Sequence, residues 1–151
     1  LLASAATLSG LWVSRRADFP ITIQTGFSVA EIVISPEPVL YSGIVKPDVV
    51  AIIASEGKSK VSRLTLAMDD SGVIYHSDGL GNIESEAQIS PLDFPEDVQQ
   101  DIRKNLSALT AAFLTKKLNM FPFEALKEAS RQIQKPKITE INLGIFEYFE
   151  D

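Results

Sequence analysis

The stretch Asp48-Val49-Val50-Ala51-Ile52-Ile53-Ala54, read together with Val73-Ile74-Tyr75-His76-Ser77, decides the fold. The first run is apolar without alternation. That is the pattern of a strand covered on both faces, as in a parallel sheet. Between the two runs, Ser55-Glu56-Gly57 opens a segment whose Val61, Leu64, Leu66 and Met68 roughly fit a helix. Asp69-Asp70-Ser71-Gly72 then has the composition of a turn. Strand, helix, strand in that order, with a crossover of this length, predicts parallel pairing of the two strands.

Toward the N-terminus, Leu1-Leu2-Ala3-Ser4-Ala5-Ala6-Thr7-Leu8 reads as a helix that stops at Gly10. In an α/β domain such a helix follows a first strand and a turn that often holds phosphate-cradling glycines. Both are expected upstream of Leu1. Leu11-Trp12-Val13-Ser14 is a short strand, and Ile21-Thr22-Ile23-Gln24-Thr25 is a β-branched one stopped by Gly26. Residues 27–35 form a strand that ends at Pro36, because proline cannot donate to a ladder. Pro36-Glu37-Pro38 makes a stiff corner. Residues 78–90 are polar and glycine-containing, with a short edge strand expected around Ala87-Gln88-Ile89.

The second half is helical. Pro95-Glu96-Asp97 is a helix start with acids near the positive end of the dipole. Ile102, Leu106, Leu109, Phe113 and Leu114 continue it at helical spacing. Phe121-Pro122 breaks it, and Phe123, Leu126, Ala129 and Ile133 line one face of the next helix. Lys135-Pro136 breaks again before Ile138, Ile141, Leu143, Ile145, Phe146 and Phe149. The expected architecture is α/β: a Rossmann-like, mostly parallel sheet with C-terminal helices, one domain over residues 1–151.

Composition narrows the chemistry. The 151 residues are 45% hydrophobic and 23% charged, ordinary for a globular chain with a real core. With no cysteine there is no disulfide, no thiolate nucleophile and no Cys-ligated iron–sulfur or zinc site. The single histidine, His76, leaves a His-based triad or multi-His metal site at best half available, and no metal-ligand spacing stands out. A net charge of -6 argues against nucleic acid as the partner. No apolar run approaches a membrane span, and residues 1–8 lack the basic start of a signal peptide. A cytoplasmic protein is expected.

Five local features carry candidate chemistry. In Gln24-Thr25-Gly26-Phe27-Ser28, Gly26 permits close approach of a ligand or another backbone, and the Thr25 and Ser28 hydroxyls can bond a phosphate or a partner carbonyl. The same residues also make an ordinary turn whose hydroxyls bond nearby backbone. Arg15 and Arg16, after the short strand, suit phosphates or carboxylates, or are plain surface charge. His76 reads as structural. Asp69-Asp70 and the acids Glu147, Glu150 and Asp151 are explained by a turn and a solvated tail. Gly57-Lys58-Ser59 resembles the end of a P-loop, but Ile52 stands where its first glycine is required, so a nucleoside triphosphate site is rejected.

Three stretches together resemble the gamma subunit of 2-oxoacid:ferredoxin oxidoreductases. The first runs Phe19-Pro20-Ile21-Thr22-Ile23-Gln24-Thr25-Gly26-Phe27-Ser28 and on to Ser35-Pro36-Glu37-Pro38-Val39. It is similar to the family's aromatic-Pro-Val-Thr-Val-x-Thr-Gly-x-Ser turn, strand and Ser-x-Glu-Pro-Ile. The second is Lys46-Pro47-Asp48-Val49-Val50, with its acidic exit at Glu56. The third is Lys104-Asn105-Leu106-Ser107-Ala108-Leu109 with Phe123-Glu124-Ala125-Leu126 and Ile141-Asn142. The family's Gly-x-Gly-Gly-Gln-Gly loop would precede Leu1, and many members carry Arg-Gly-Gly where this chain has Gln24-Thr25-Gly26.

The resemblance implies a gamma subunit supporting oxidative decarboxylation of a 2-oxoacid, such as pyruvate or ketoisovalerate, to acyl-CoA. It implies thiamine diphosphate, CoA and iron–sulfur clusters in the assembled complex, with the catalytic centre on partner subunits and no cofactor bound by this chain alone. The implied partners are alpha and beta subunits, with delta as a further candidate, and ferredoxin indirectly. Gln24, Thr25, Gly26, Ser28, Arg15 and Arg16 become candidates for CoA or subunit contact. Two competing readings remain: a stand-alone dinucleotide- or CoA-binding Rossmann-like protein, and a purely structural module. Against NAD, Arg15-Arg16 stands where a ribose-binding acid is expected.

Overall fold

The computed structural model describes residues 1–18, 28–98 and 103–150. In chain order the described elements are α1 (Leu2–Leu8), β1 (Trp12–Asp18), β2 (Val29–Ser35), β3 (Val49–Ile52), α2 (Ser55–Leu66), β4 (Val73–His76), β5 (Gln88–Pro91), α3 (Leu106–Leu118), α4 (Phe123–Ile133) and α5 (Pro136–Glu147). They fall into two compact units. One contains Leu1–Ser14, Ile34–Leu40 and Asp93–Asp151; the other contains Arg15–Val33 and Tyr41–Leu92.

The second unit holds the parallel sheet, in the order β3-β4-β5. β4 is central and parallel to both neighbours, with Val50 opposite Ile74 and Ile74 opposite Ile89. The ladder continues past the strand ends: Val73 N donates to the Asp48 carbonyl at 3.0 Å, and Ser77 N to that of Ile52 at 2.9 Å. Val50, Ile52 and Ile74 bury their side chains with Met68, Ile83 and Ala87, and Val61 of α2 and Leu80 pack on this cluster. Ile74 is fully buried, which stabilises by roughly 1.5–3 kcal/mol over an exposed side chain. The edge strand expected near residue 88 is β5. Its exposed pattern and terminal Pro91 suit a sheet edge.

α2 begins at Ser55, behind an extended Ala54. Glu56 sits in its first turn, at the positive end of the dipole. The return to β4 is built around Asp69. Its carboxylate accepts from the Ser71 N–H at 3.0 Å, from the Ser71 hydroxyl at 2.5 Å, and from the Lys46 ammonium. These donors, Lys46 foremost, hold the Asp69 carboxyl well below the usual carboxylate range. Gly72 packs closely here: a Cβ at that position would lie 2.7 Å from Met68 Cε, which would have to shift.

The first unit is a helical layer. α1 ends as the sequence indicates, with Gly10 at φ +81. Its Ala5 and Ala6 are fully buried and allow close packing on α4. α3 has no solvent face over its middle: Ala108, Leu109, Thr110, Ala111, Ala112, Phe113, Leu114 and Thr115 are all buried. It closes on left-handed Asn119, whose N–H reaches the Thr115 carbonyl at 3.1 Å. α4 buries Leu126 and Ala129, and α5 buries Ile145 and Phe146. Phe123 meets Phe146 edge to face, with centroids 6.0 Å apart.

Three expectations change. The strand at Leu11 to Ser14 is longer: β1 runs to Asp18 and pairs with β2 as a two-stranded ribbon. Its polar residues are exposed, so no apolar alternation marks its second half. Where a helix is expected to start at Pro95 the chain makes a turn, Val98 N to the Pro95 carbonyl at 3.1 Å; the next described residue, Arg103, is helical. After Arg103, Lys104 and Asn105 are turn residues, and α3 starts at Leu106. Ile133, on one helix face with Phe123, Leu126 and Ala129 by spacing, is exposed, as are Ile138 and Ile141 of the closing helix. The strand expected at Ile21 to Thr25, and Ile102, lie outside the described residues.

Candidate functional site

In a parallel α/β sheet the loops that leave the carboxyl ends of the strands form the ligand edge. Here those loops are residues 53–54 after β3 and residues 77–87 after β4. Beside them lies a cleft of about 340 Å³. One wall is the face of α2 that carries Ser55, Lys58, Ser59 and Ser62; opposite are Asn82 and Glu84, and Ile52 and Ile83 add apolar surface. Positions 55, 58, 59 and 62 recur at i, i+3, i+4 and i+7, so one helix stripe supplies the hydroxyls and the cation.

Lys58 does not point freely into this space. Its ammonium donates to the Leu80 carbonyl at 2.6 Å. Leu80 stands between Gly79 at φ +79 and Gly81 at φ +66, a left-handed path that glycine adopts without a Cβ clash. The loop's two ends are tied back. The Ser77 hydroxyl donates to the Ile53 carbonyl at 3.1 Å, and the Ser85 hydroxyl to the Thr65 carbonyl at 2.5 Å. The cleft therefore offers hydroxyls, one amide, one ammonium and one carboxylate. Those groups can hold a polar ligand but do not assemble a nucleophile with a base. His76 Nδ1 lies 3.0 Å from the Ser77 carbonyl oxygen, a local backbone contact.

The residues proposed from sequence lie elsewhere. Arg15 and Arg16 are in β1, not after a strand end, and both are exposed. As successive strand residues they point to opposite faces of the ribbon. Ser28 is exposed immediately before β2. Gln24, Thr25 and Gly26 lie outside the described residues. Of the three that are described, Arg15, Arg16 and Ser28, none lines the cleft. Of the α2 cleft residues, Lys58 and Ser59 belong to the Gly-Lys-Ser run rejected as a triphosphate site, and Ser55 and Ser62 carry no signal because a serine-rich helix stripe has the same pattern as a solvated face.

Among the described residues, no group of three or more His, Asp or Glu is placed to hold a metal ion. A chain without cysteine has no thiolates for an iron–sulfur cluster. Among the described residues, no helix is long and apolar enough to cross a membrane.

The parallel β3-β4-β5 sheet with its crossover helix α2 defines an α/β protein of the Rossmann-like kind. No protein-family model matches the chain, and no curated protein does. Solved structures do match. The gamma subunit of a keto/oxoacid ferredoxin oxidoreductase from Geobacter sulfurreducens PCA has a TM-score of 0.71 at 17% identity, covering 99% of this chain and 85% of that one. Pyruvate oxidoreductase subunit PORC from Thermotoga maritima has a TM-score of 0.68 at 17% identity, with the same 99% and 85% coverage. A 2-oxoglutarate:ferredoxin oxidoreductase from Magnetococcus marinus, solved with 2-oxoglutarate, coenzyme A and succinyl-CoA bound, has a TM-score of 0.66 at 16% identity. This chain covers 27% of its length. The protein thus has the fold of 2-oxoacid:ferredoxin oxidoreductase gamma subunits, the family its sequence resembles.

Proposed function

We propose that this chain is the gamma subunit of a thiamine-diphosphate-dependent 2-oxoacid:ferredoxin oxidoreductase, supporting oxidative decarboxylation of a 2-oxoacid to acyl-CoA. The observation that carries this reading is the fold match over 99% of the chain to a solved keto/oxoacid ferredoxin oxidoreductase gamma subunit and to pyruvate oxidoreductase subunit PORC. The order of the resembling sequence stretches along the chain also supports it.

In this reading the chain is a docking and binding layer within the complex. Thiamine diphosphate supplies carbanion-stabilising chemistry and belongs to partner chains, as do the iron–sulfur clusters, for which this chain has no thiolates. The exposed guanidinium groups of Arg15 and Arg16 are suited to a bidentate grip on CoA phosphates or on carboxylates of a partner subunit. Ser28, with Gln24, Thr25 and Gly26, extends that proposed contact region.

Co-expression with the alpha and beta subunits encoded by the same organism tests the proposal. The expected result is a heteromeric complex that reduces ferredoxin in the presence of a 2-oxoacid and CoA, an activity the lone chain lacks. A lone chain that turns over a 2-oxoacid unaided, or one with no affinity for those subunits, would overturn it.

A further inference from the structure

We propose that residues 78–82 form a strap that opens and closes at the ligand edge of the sheet, with Lys58 as its latch. This goes beyond the subunit reading and does not depend on it.

The strap is fastened at both ends and lightly in the middle. At one end Ser77 is held by its N–H on the Ile52 carbonyl and its hydroxyl on the Ile53 carbonyl, at 2.9 and 3.1 Å. At the other, Ser85 bridges the Thr65 carbonyl and the Ala87 N–H, at 2.5 and 3.1 Å. Between these anchors the described tether is the Lys58 ammonium on the Leu80 carbonyl, at 2.6 Å. The Leu80 side chain is half-buried against the sheet core, whereas Asp78, Gly79, Gly81 and Asn82 are exposed.

The chemistry of these parts suits a moving element. Gly79 and Gly81 bracket Leu80 at positive φ, and glycine crosses between backbone basins with no Cβ to obstruct it. Exposed backbone with few apolar contacts belongs to the low-stability end of local opening. The latch comes from the second turn of α2, a fixed base, but its ammonium rides on a four-carbon stem that can swing. Release costs one charge-assisted hydrogen bond and part of one leucine contact. It leaves the ammonium over the hydroxyls of Ser55 and Ser59 and opens the approach to Ile83.

Limited proteolysis of the full chain with thermolysin, which cuts before Leu80, tests this in the wild type and in Lys58→Met, which keeps most of the stem and removes the donor. In the wild type the Gly79–Leu80 bond should be cut under native conditions at least tenfold faster than any bond in α2 or β4. In Lys58→Met that cut should speed up roughly tenfold or more, with the urea midpoint of the whole protein little changed, and Lys58→Arg should restore most of the resistance. A wild-type protein cut at Gly79–Leu80 no sooner than within β4 would overturn the proposal, and that arm stands even if the variant does not fold. So would a Lys58→Met protein with an unchanged rate at that bond, or one in which α2 and β4 become equally cleavable.

Discussion

Asn142 of α5 donates its side-chain N–H to the amide oxygen of Gln134 at 2.7 Å, and the Ser130 hydroxyl of α4 donates to that same oxygen at 2.5 Å. Thr139 closes the corner from the other side, its hydroxyl on the Ser130 carbonyl at 3.0 Å. Ser130 and Asn142 are buried, so each group depends on its protein partner. Asn142→Ala removes one donor to Gln134 and leaves a small void. The expected loss is about 1–3 kcal/mol, read as a lower urea midpoint with an unchanged m-value. Ser130→Ala and the double variant complete a cycle, and a coupling energy near zero would show that the shared oxygen does not link them.

Gly72→Ala should destabilise through one contact. The new Cβ would meet Met68 Cε at 2.7 Å and the Asp48 carbonyl at 3.4 Å. Met68 is 2% exposed, so its methyl has little room to yield. The expected cost is about 1–3 kcal/mol, as for other overpacking substitutions. Met68→Ala creates a cavity of its own, yet should reduce the further cost of Gly72→Ala. Thermal unfolding of the four proteins of that cycle checks this, and strictly additive changes would rule out the Met68 clash.

Acid stability should depend on Asp69. Its folded pKa is depressed, first by the Lys46 hydrogen bond and then by Ser71. A depressed carboxylate contributes stability that is fully present above the unfolded value of about 4 and is lost as pH falls through the folded one. Wild-type stability should therefore decline below about pH 4 more steeply than that of Asp69→Asn, which forgoes the contribution at all pH values. Urea midpoints from pH 7 to pH 2 measure this. Because Lys46 and Asp69 are both exposed, the difference should shrink in high salt.

Arg15→Glu with Arg16→Glu separates docking from folding. Both side chains are exposed on β1, so the double variant should change unfolding stability by less than about 1 kcal/mol. If the ribbon grips CoA or a partner's carboxylates, the same variant should weaken complex formation or CoA binding at least tenfold, most strongly at low ionic strength. Titration calorimetry with CoA and with the co-purified partner subunits distinguishes the two ligands. Unchanged affinity for both would remove these arginines from the proposed contact region.

The parts of the fold that were legible in sequence are those with a strong period or a strong stop. β3 was readable because it is apolar without interruption and β4 because Val73-Ile74-Tyr75 follows a turn, and their parallel pairing followed from the helix between them. Pro36, Pro122 and Pro136 marked element boundaries where the backbone cannot continue its pattern. β1 was underestimated because a ribbon exposed along Arg15, Arg16, Ala17 and Asp18 has no buried face to impose alternation. At Pro95-Glu96-Asp97 the described chain closes a turn to Val98, so the acids that suit a helix start serve a turn there. The cleft was hidden for another reason. Lys58 and Leu80 are far apart in the chain, and no local pattern announces an ammonium that reaches a backbone carbonyl across a crossover.

The enclosed middle of α3 has a practical consequence for following this protein by spectroscopy. The chain has no native thiol, so one introduced cysteine would be a unique attachment point. A cysteine anywhere from 108 to 115 would be shielded from a maleimide dye until the surrounding helices part. Reagent uptake there would clock unfolding of the helical layer. At Lys116 or Lys117, on the exposed last turn, the same dye would attach to the intact protein and report on rotation and assembly instead.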